Sequence, residues 1–204
     1  MPPMPRDLVR KSKHLSWLLR HGARESGLPM DAAGWCAVDD VLQRTGLARA
    51  ELEEVVRTNT KGRLELAGDR VRACQGHSPE GTPVTVEALE ASWTPWTGVA
   101  PVFHGTHRHA LEAIARDGLK PLARTHVHLA PSLDSDVGKR SGVGLAIAVD
   151  PARCAAAGAP IHEAPNGVLL ARHVPVSAFV ALHPISQRAQ RDADHLRRLL
   201  GLGG

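Results

Sequence analysis

The chain has 204 residues, 43% of them hydrophobic, with a formal net charge of +4, which suits one large domain or two small ones with a real core. Its longest apolar runs fall short of a bilayer span, and Met1-Pro2-Pro3-Met4-Pro5-Arg6 lacks a signal-peptide core, so a soluble, cytoplasmic protein is expected. Cys36, Cys74 and Cys154, with no Cys-x-x-Cys pair, exclude a disulfide framework and a zinc ribbon, while fifteen Pro and nineteen Gly favour mixed helix and sheet over a bundle.

Residues 6–21 read as a helix, with Leu8, Leu15, Leu18 and Leu19 near helical spacing and Gly22 placed to end it. Arg6, Arg10, Lys11, Lys13 and Arg20 stand there against Asp7 alone, a pattern that a solvated face explains as readily as a ligand does. Residues 29–35 form a turn, 39–44 a short helix stopped by Gly46, and 48–58 another with Leu52, Val55 and Val56 facing inward. Strands at 64–66 and 71–73, around Ala67-Gly68-Asp69-Arg70, make a β-hairpin. Three helices and a hairpin follow a winged-helix order, which does not by itself assign a function. Gln75, His77 and Ser78 then serve a site or cap the turn.

Pro and Gly density marks 81–100 as a connection, with a short strand at 84–86. The second lobe opens with a strand into His104-Gly105-Thr106, ahead of a helix at 108–117. Backbone N–H groups and the Thr hydroxyl there could meet a phosphate or amide, although an N-cap Thr accounts for the pattern equally. In residues 125–140, His126 and His128 share one face of a strand, which breaks at Pro131 into Ser132, Asp134, Ser135 and Asp136 and ends on Gly138-Lys139-Arg140. Such groups suit a polar, anionic ligand; a solvated edge strand with its loop is the alternative. A strand at 145–149, a short helix after Pro151, the stretch Asn166-Gly167-Val168-Leu169-Leu170-Ala171 and a last strand near 179–182 follow. Residues 186–204 read as a surface helix or frayed C-terminal tail.

His126, His128 and His104 could form a metal triad, but no acidic or Cys partner stands at supportive spacing and the neighbours are Arg and Lys, so no metal is expected. Gly-x-Ser-x-Gly, a Walker loop and a complete Gly-x-Gly-x-x-Gly are absent. What remains is a set of phosphate-seeking cations: Arg20 beside His21, Lys61 with Arg63, Arg72, and Lys139 with Arg140. With no Tyr and two Phe, an RNA would be held mainly by its phosphates.

Several motifs recur in order: Leu15-Ser16-x-Leu18-Leu19-Arg20-His21, Gly34-Trp35, Lys61-x-Arg63, Arg72-Ala73-x-Gln75-Gly76-His77-Ser78, Phe103-His104-Gly105-Thr106, Arg124-x-His126-Val127-His128-Leu129, Gly138-x-Arg140 and Asn166-Gly167-Val168. Over about residues 15–174 the chain resembles the RNA 2′-phosphotransferases of the KptA group, the tRNA-splicing 2′-phosphotransferases. The resemblance implies an α+β architecture, with a winged-helix RNA lobe at 1–80, a linker at 81–100 and a β-rich, ADP-ribosyltransferase-like NAD lobe at 101–185. It implies a monomer that consumes NAD and acts on 2′-phosphorylated RNA such as tRNA, through an RNA-2′-phospho-ADP-ribose intermediate. Its catalytic set falls on Arg20, His21, Arg63 and Arg140. NAD contacts fall on His104, Gly105, Thr106, His128, Ser132, Asp136, Gly138 and Val168. Lys61, Arg72, Gln75, His77 and Ser78 are expected to bind RNA or phosphate. Gly62 and Leu64 depart from the family pattern beside Arg63, and Phe103 stands where Tyr is common. An alternative is ADP-ribosylation that caps terminal phosphates of RNA or DNA and stops there.

Overall fold

A computed structural model describes residues 6–135, 137–138 and 142–202. The chain is a mixture of helix and antiparallel sheet in two compact units, one formed by Met1–Trp93 with Ala123–Thr125 and the other by Thr94–Leu122 with His126–Gly204.

The first unit begins with α1 (Arg6–Trp17), which continues as a π-helical turn over Leu18–Gly22. Leu15, Leu18 and Leu19 drive this segment inward, each 1% exposed or less. They meet Val38 and Val41 of α2 (Val38–Thr45) and Leu52 and Val55 of α3 (Arg49–Thr58) in one core. Lys11 also bridges α1 to Glu51 of α3 at 3.0 Å. The hairpin β2 (Leu64–Ala67) and β3 (Arg70–Ala73) forms as its alternation predicts, and β1 (Cys36–Ala37) joins it in the order β1-β3-β2.

The expected strand at 84–86 does not form: Val84 and Thr85 lead into a helix. Val86 opens α4 (Val86–Ala91), and the Thr85 hydroxyl accepts the Ala88 N–H at 3.2 Å, so capping and the run Glu-Ala-Leu-Glu-Ala outweigh the β-branched residues. Nor is 81–100 a plain linker. Leu89 and Trp93 are buried in the first unit, and the Trp93 indole N–H donates to the Cys74 carbonyl at 3.1 Å.

The second unit has two antiparallel sheets. One is ordered β10-β7-β5, with β5 (Val102–Thr106), β7 (Leu145–Val149) and β10 (Phe179–Pro184). Every residue of β7 is buried, as a central strand of Leu, Ile, Val and Ala requires. The other is β4-β8-β9-β6, with β4 (Thr94–Pro95), β6 (Val127–Leu129), β8 (His162–Glu163) and β9 (Leu169–Ala171). A bridge between Phe103 and Ala130 ties the two sheets together. Helices α5 (Leu111–Asp117) and α6 (Pro151–Ala156) lie within this unit.

Of the two expected forms for the C-terminal segment, surface helix or frayed tail, residues 187–199 take the helical one. They form α7 (Gln187–Arg191), capped by the Ser186 hydroxyl, and α8 (Ala193–Leu199). Ala189, Leu196 and Leu200 enter the core, because their helical spacing puts the apolar side chains on one stripe.

Candidate functional site

The polar centre of the first unit is built on the π-helical turn. A wider turn sets residue i+5 over residue i, and here Gly22 comes over Trp17: a Cβ on Gly22 would lie 2.4 Å from the indole Cη2. The loop at 78–82 closes the end of the helix. The Ser78 N–H donates to the Arg20 carbonyl at 2.9 Å, the Arg24 N–H donates to the Gly81 carbonyl at 3.0 Å, and Gly81 packs directly on the His21 carbonyl. Orphan carbonyls of a helix end are thereby satisfied.

This frame holds Arg20 in an electrostatically adverse position. Its Nε and Nη2 are buried without a hydrogen-bond partner, and no ion pair to its guanidinium occurs among the described residues. Burial first, then the charges of Arg63 and Arg124, lower its pKa to about 10. His21 is largely exposed, and partial desolvation, then the charges of Arg20 and Arg124, lower its pKa. The charges of Arg63 and Arg124 thus act on Arg20, and those of Arg20 and Arg124 on His21, while the Arg20 guanidinium has no anion paired with it among the described residues. Guanidinium forks bind phosphate oxygens bidentately, so a phosphate answers this charge directly.

Arg63 is exposed at the end of a turn in which the Asn59 side-chain oxygen accepts the N–H groups of Lys61 and Arg63 at 3.3 and 3.4 Å. Gly62 has φ +53°, a conformation that glycine adopts without strain, so this departure from the family pattern suits the turn that presents Arg63. Cys74 is no competing nucleophile. Its Sγ lies 3.1 Å from the Gly62 carbonyl, and burial pushes its pKa up to about 11.

Arg72, Gln75 and His77 are not open to a ligand as expected: they are 4%, 7% and 0% exposed. Arg72 is held by Glu65 at 2.8 Å, by the Ser92 hydroxyl at 2.8 Å and over the Trp35 ring at 4.5 Å. A burial this complete is tolerated because the guanidinium is paired. Gly76 places its backbone beside Arg20, and Ser78 binds the Arg20 carbonyl, so this stretch positions Arg20. Lys61 is half-buried in the turn before Arg63.

In the second unit, His104 on β5 and His128 on β6 are brought together. The His104 Nδ1 lies 3.0 Å from the His128 carbonyl, and the His128 Nδ1 lies 3.1 Å from the His126 carbonyl. A carbonyl can only accept, so each of these Nδ1 atoms carries a proton. Gly105 is half-buried, and Thr106 is 6% exposed at the end of β5. Val168 is 3% exposed just before β9, whose Leu169 pairs with Leu129 of β6. Ser132 is exposed in the loop, and Gly138 packs against the Leu129 carbonyl, which folds the loop back onto β6. His126 is buried, at 1% exposure, so the two imidazoles of this strand differ in access. Asp136 and Arg140 lie outside the described residues.

The family model described as RNA 2′-phosphotransferase, Tpt1 / KptA family, matches residues 6–173. The chain belongs to this family. It is 41% identical over 182 residues to a probable RNA 2′-phosphotransferase of Burkholderia lata, covering 85% of this chain and 90% of that one. Proteins of the same name from Pseudomonas syringae and Streptomyces griseus are 39% and 38% identical, covering 81% and 83% of this chain and 89% and 94% of theirs. The chain is accordingly a transferase of an RNA-modifying family. Among the described residues, no group of three or more His, Cys, Asp or Glu side chains could hold a metal ion, and no helix is long and apolar enough to cross a membrane.

Arg124 is the member of the cation cluster that the sequence reading left out of its site residues. It comes from Ala123–Thr125, which belongs to the first unit although it stands next to the strand of the second, and the Thr125 N–H donates to the His77 carbonyl at 3.1 Å. The available signal was Arg124 itself, in the recurring motif Arg-x-His-x-His.

Proposed function

We propose that this chain is an NAD-dependent RNA 2′-phosphotransferase. Membership of the family supports it, and the observation that carries it is the buried, partnerless guanidinium of Arg20 beside Arg63 and Arg124. In the first step an oxygen of the RNA 2′-phosphate attacks the C1″ of the NAD ribose. The C1″–N bond breaks, and nicotinamide leaves neutral with the electron pair, giving RNA-2′-phospho-ADP-ribose. An anionic nucleophile needs positioning more than a base, and the Arg cluster supplies it. In the second step the ribose 2″-OH attacks phosphorus, and the bond to the RNA 2′-oxygen breaks. The products are ADP-ribose 1″,2″-cyclic phosphate and RNA with a 2′-OH.

Fixed cations matter more in that second step, where charge develops on the phosphoryl oxygens. His21, whose pKa is lowered by partial desolvation and by its cationic neighbours, takes the proton of the 2″-OH and returns it to the departing 2′-oxygen. His104, Gly105, Thr106, His128, Ser132 and Gly138 fit NAD recognition. The Nδ1 contacts of His104 and His128 to main-chain carbonyls fix the orientation of the two rings in this unit. NAD supplies the electrophilic ribose carbon and a good leaving group. A winged-helix RNA lobe and an ADP-ribosyltransferase-like NAD lobe belong to the same proposal.

The test is incubation of a labelled oligonucleotide carrying one internal 2′-phosphate with NAD in the presence of chelator, with all products resolved. Dephosphorylated RNA and the cyclic phosphate are expected. ADP-ribose retained on RNA as the final product would support capping instead, and no reaction with NAD would refute the proposal.

A further inference from the structure

We propose that Trp17 is a stacking site for an unpaired nucleobase of the RNA, one helical turn from His21; this rests on the reading of the chain as an enzyme of phosphorylated RNA. Trp17 is 39% exposed, while Trp93 and Phe179 are buried and Trp35 lies under Arg70 and Arg72. An exposed indole at that position has no role in the core.

Three observations direct it to a base. The His14 ring stacks on the indole, with centroids 5.9 Å apart and planes 26° apart, so a short aromatic stack already stands on this face. Gly22 seats the benzenoid edge, because any side chain there would displace it. Lys13 lies on the same exposed stretch of α1, with no ion-pair partner among the described residues, whereas Arg10 is matched by Asp7 at 2.8 Å. A cation four residues before an exposed indole on one helix, with Arg20 three residues beyond it, suits a backbone phosphate and the base attached to it better than it suits an apolar protein surface. Stacking of this kind is tolerant of sequence, since every base has a π-face.

The test measures affinity for single-stranded oligonucleotides with one internal 2′-phosphate, in which the base on its 5′ or 3′ side is present or abasic. Removal of one of these bases should weaken binding to the parent protein about tenfold, as stacking on one aromatic implies. Trp17→Ala, and Trp17→Leu as an apolar helix former, should bind the intact oligonucleotide about tenfold more weakly and not respond further to base removal. Trp17→Phe should keep most of the response, and Gly22→Ala should lose it by displacing the indole. If the effects of Trp17→Leu and base removal simply multiply, or neither base matters, the proposal is wrong. The same oligonucleotides without the 2′-phosphate separate the two readings. Coupling to the base without a preference for the phosphate overturns the functional reading alone, and the reverse overturns the stacking site alone.

Discussion

Arg20 keeps its charge where neighbouring cations oppose it and nothing among the described residues compensates it, and this has a consequence for stability. Each tenfold loss of proton affinity is worth about 1.4 kcal/mol, so a pKa lowered to about 10 represents an unfavourable contribution on the order of 3 kcal/mol at neutral pH. Arg20→Met should therefore raise Tm in thermal melts, by about 2–4 °C for each kcal/mol recovered, while turnover is lost. A lower Tm would show that the guanidinium is compensated after all. His21 offers a second test. Its folded pKa lies below 6.5, so it stays neutral to lower pH than an ordinary histidine. Arg124 is one of the causes, so Arg124→Ala should raise this pKa and move the titration to higher pH. NMR titration of the His21 ring resonance, assigned with His21→Asn, reads the direction. An unchanged or lower midpoint would remove Arg124 from the cluster.

Among the elements, the π-helical turn and the loop at 78–82 decide where these groups sit. A Cβ on Gly81 would lie 1.9 Å from the His21 carbonyl oxygen, and backbone cannot swing aside. Gly81→Ala should lower Tm and turnover together. Gly158→Ala, which meets open space at φ +75°, should lower Tm only slightly, by strain of about 1 kcal/mol. Equal effects in melting curves and rate assays would contradict this account of the loop. Much of the element order was legible beforehand, because apolar spacing and stop signals such as Gly46 mark α1 to α3 and the hairpin. Misreadings came from competition between signals. Val84 and Val86 suggested a strand, yet Thr85 caps a helix. Two-residue strands such as β1, β4 and β8 carry too little pattern to read. Arg72 and His77 looked like ligands because polar residues are usually exposed, and their burial depends on partners distant in sequence. Arg124 was missed as a site residue for the same reason, since its place beside Arg20 and His21 comes from packing 104 positions further along the chain.

Across the whole molecule, the account makes binding a matter of phosphate charge met by arginine. Three cations neutralising single-stranded RNA predict a slope of about −2 in log affinity against log salt. A slope near zero would mean that contacts to bases or sugars dominate. The central claim is narrower: the charge buried at Arg20 awaits the 2′-phosphate. Its most direct test compares the affinity of two oligonucleotides, identical except for one internal 2′-phosphate, for the parent protein and for Arg20→Met. The parent protein should bind the phosphorylated strand at least tenfold more tightly, and the folded variant should bind both alike. A variant that keeps the parent's preference would contradict the account.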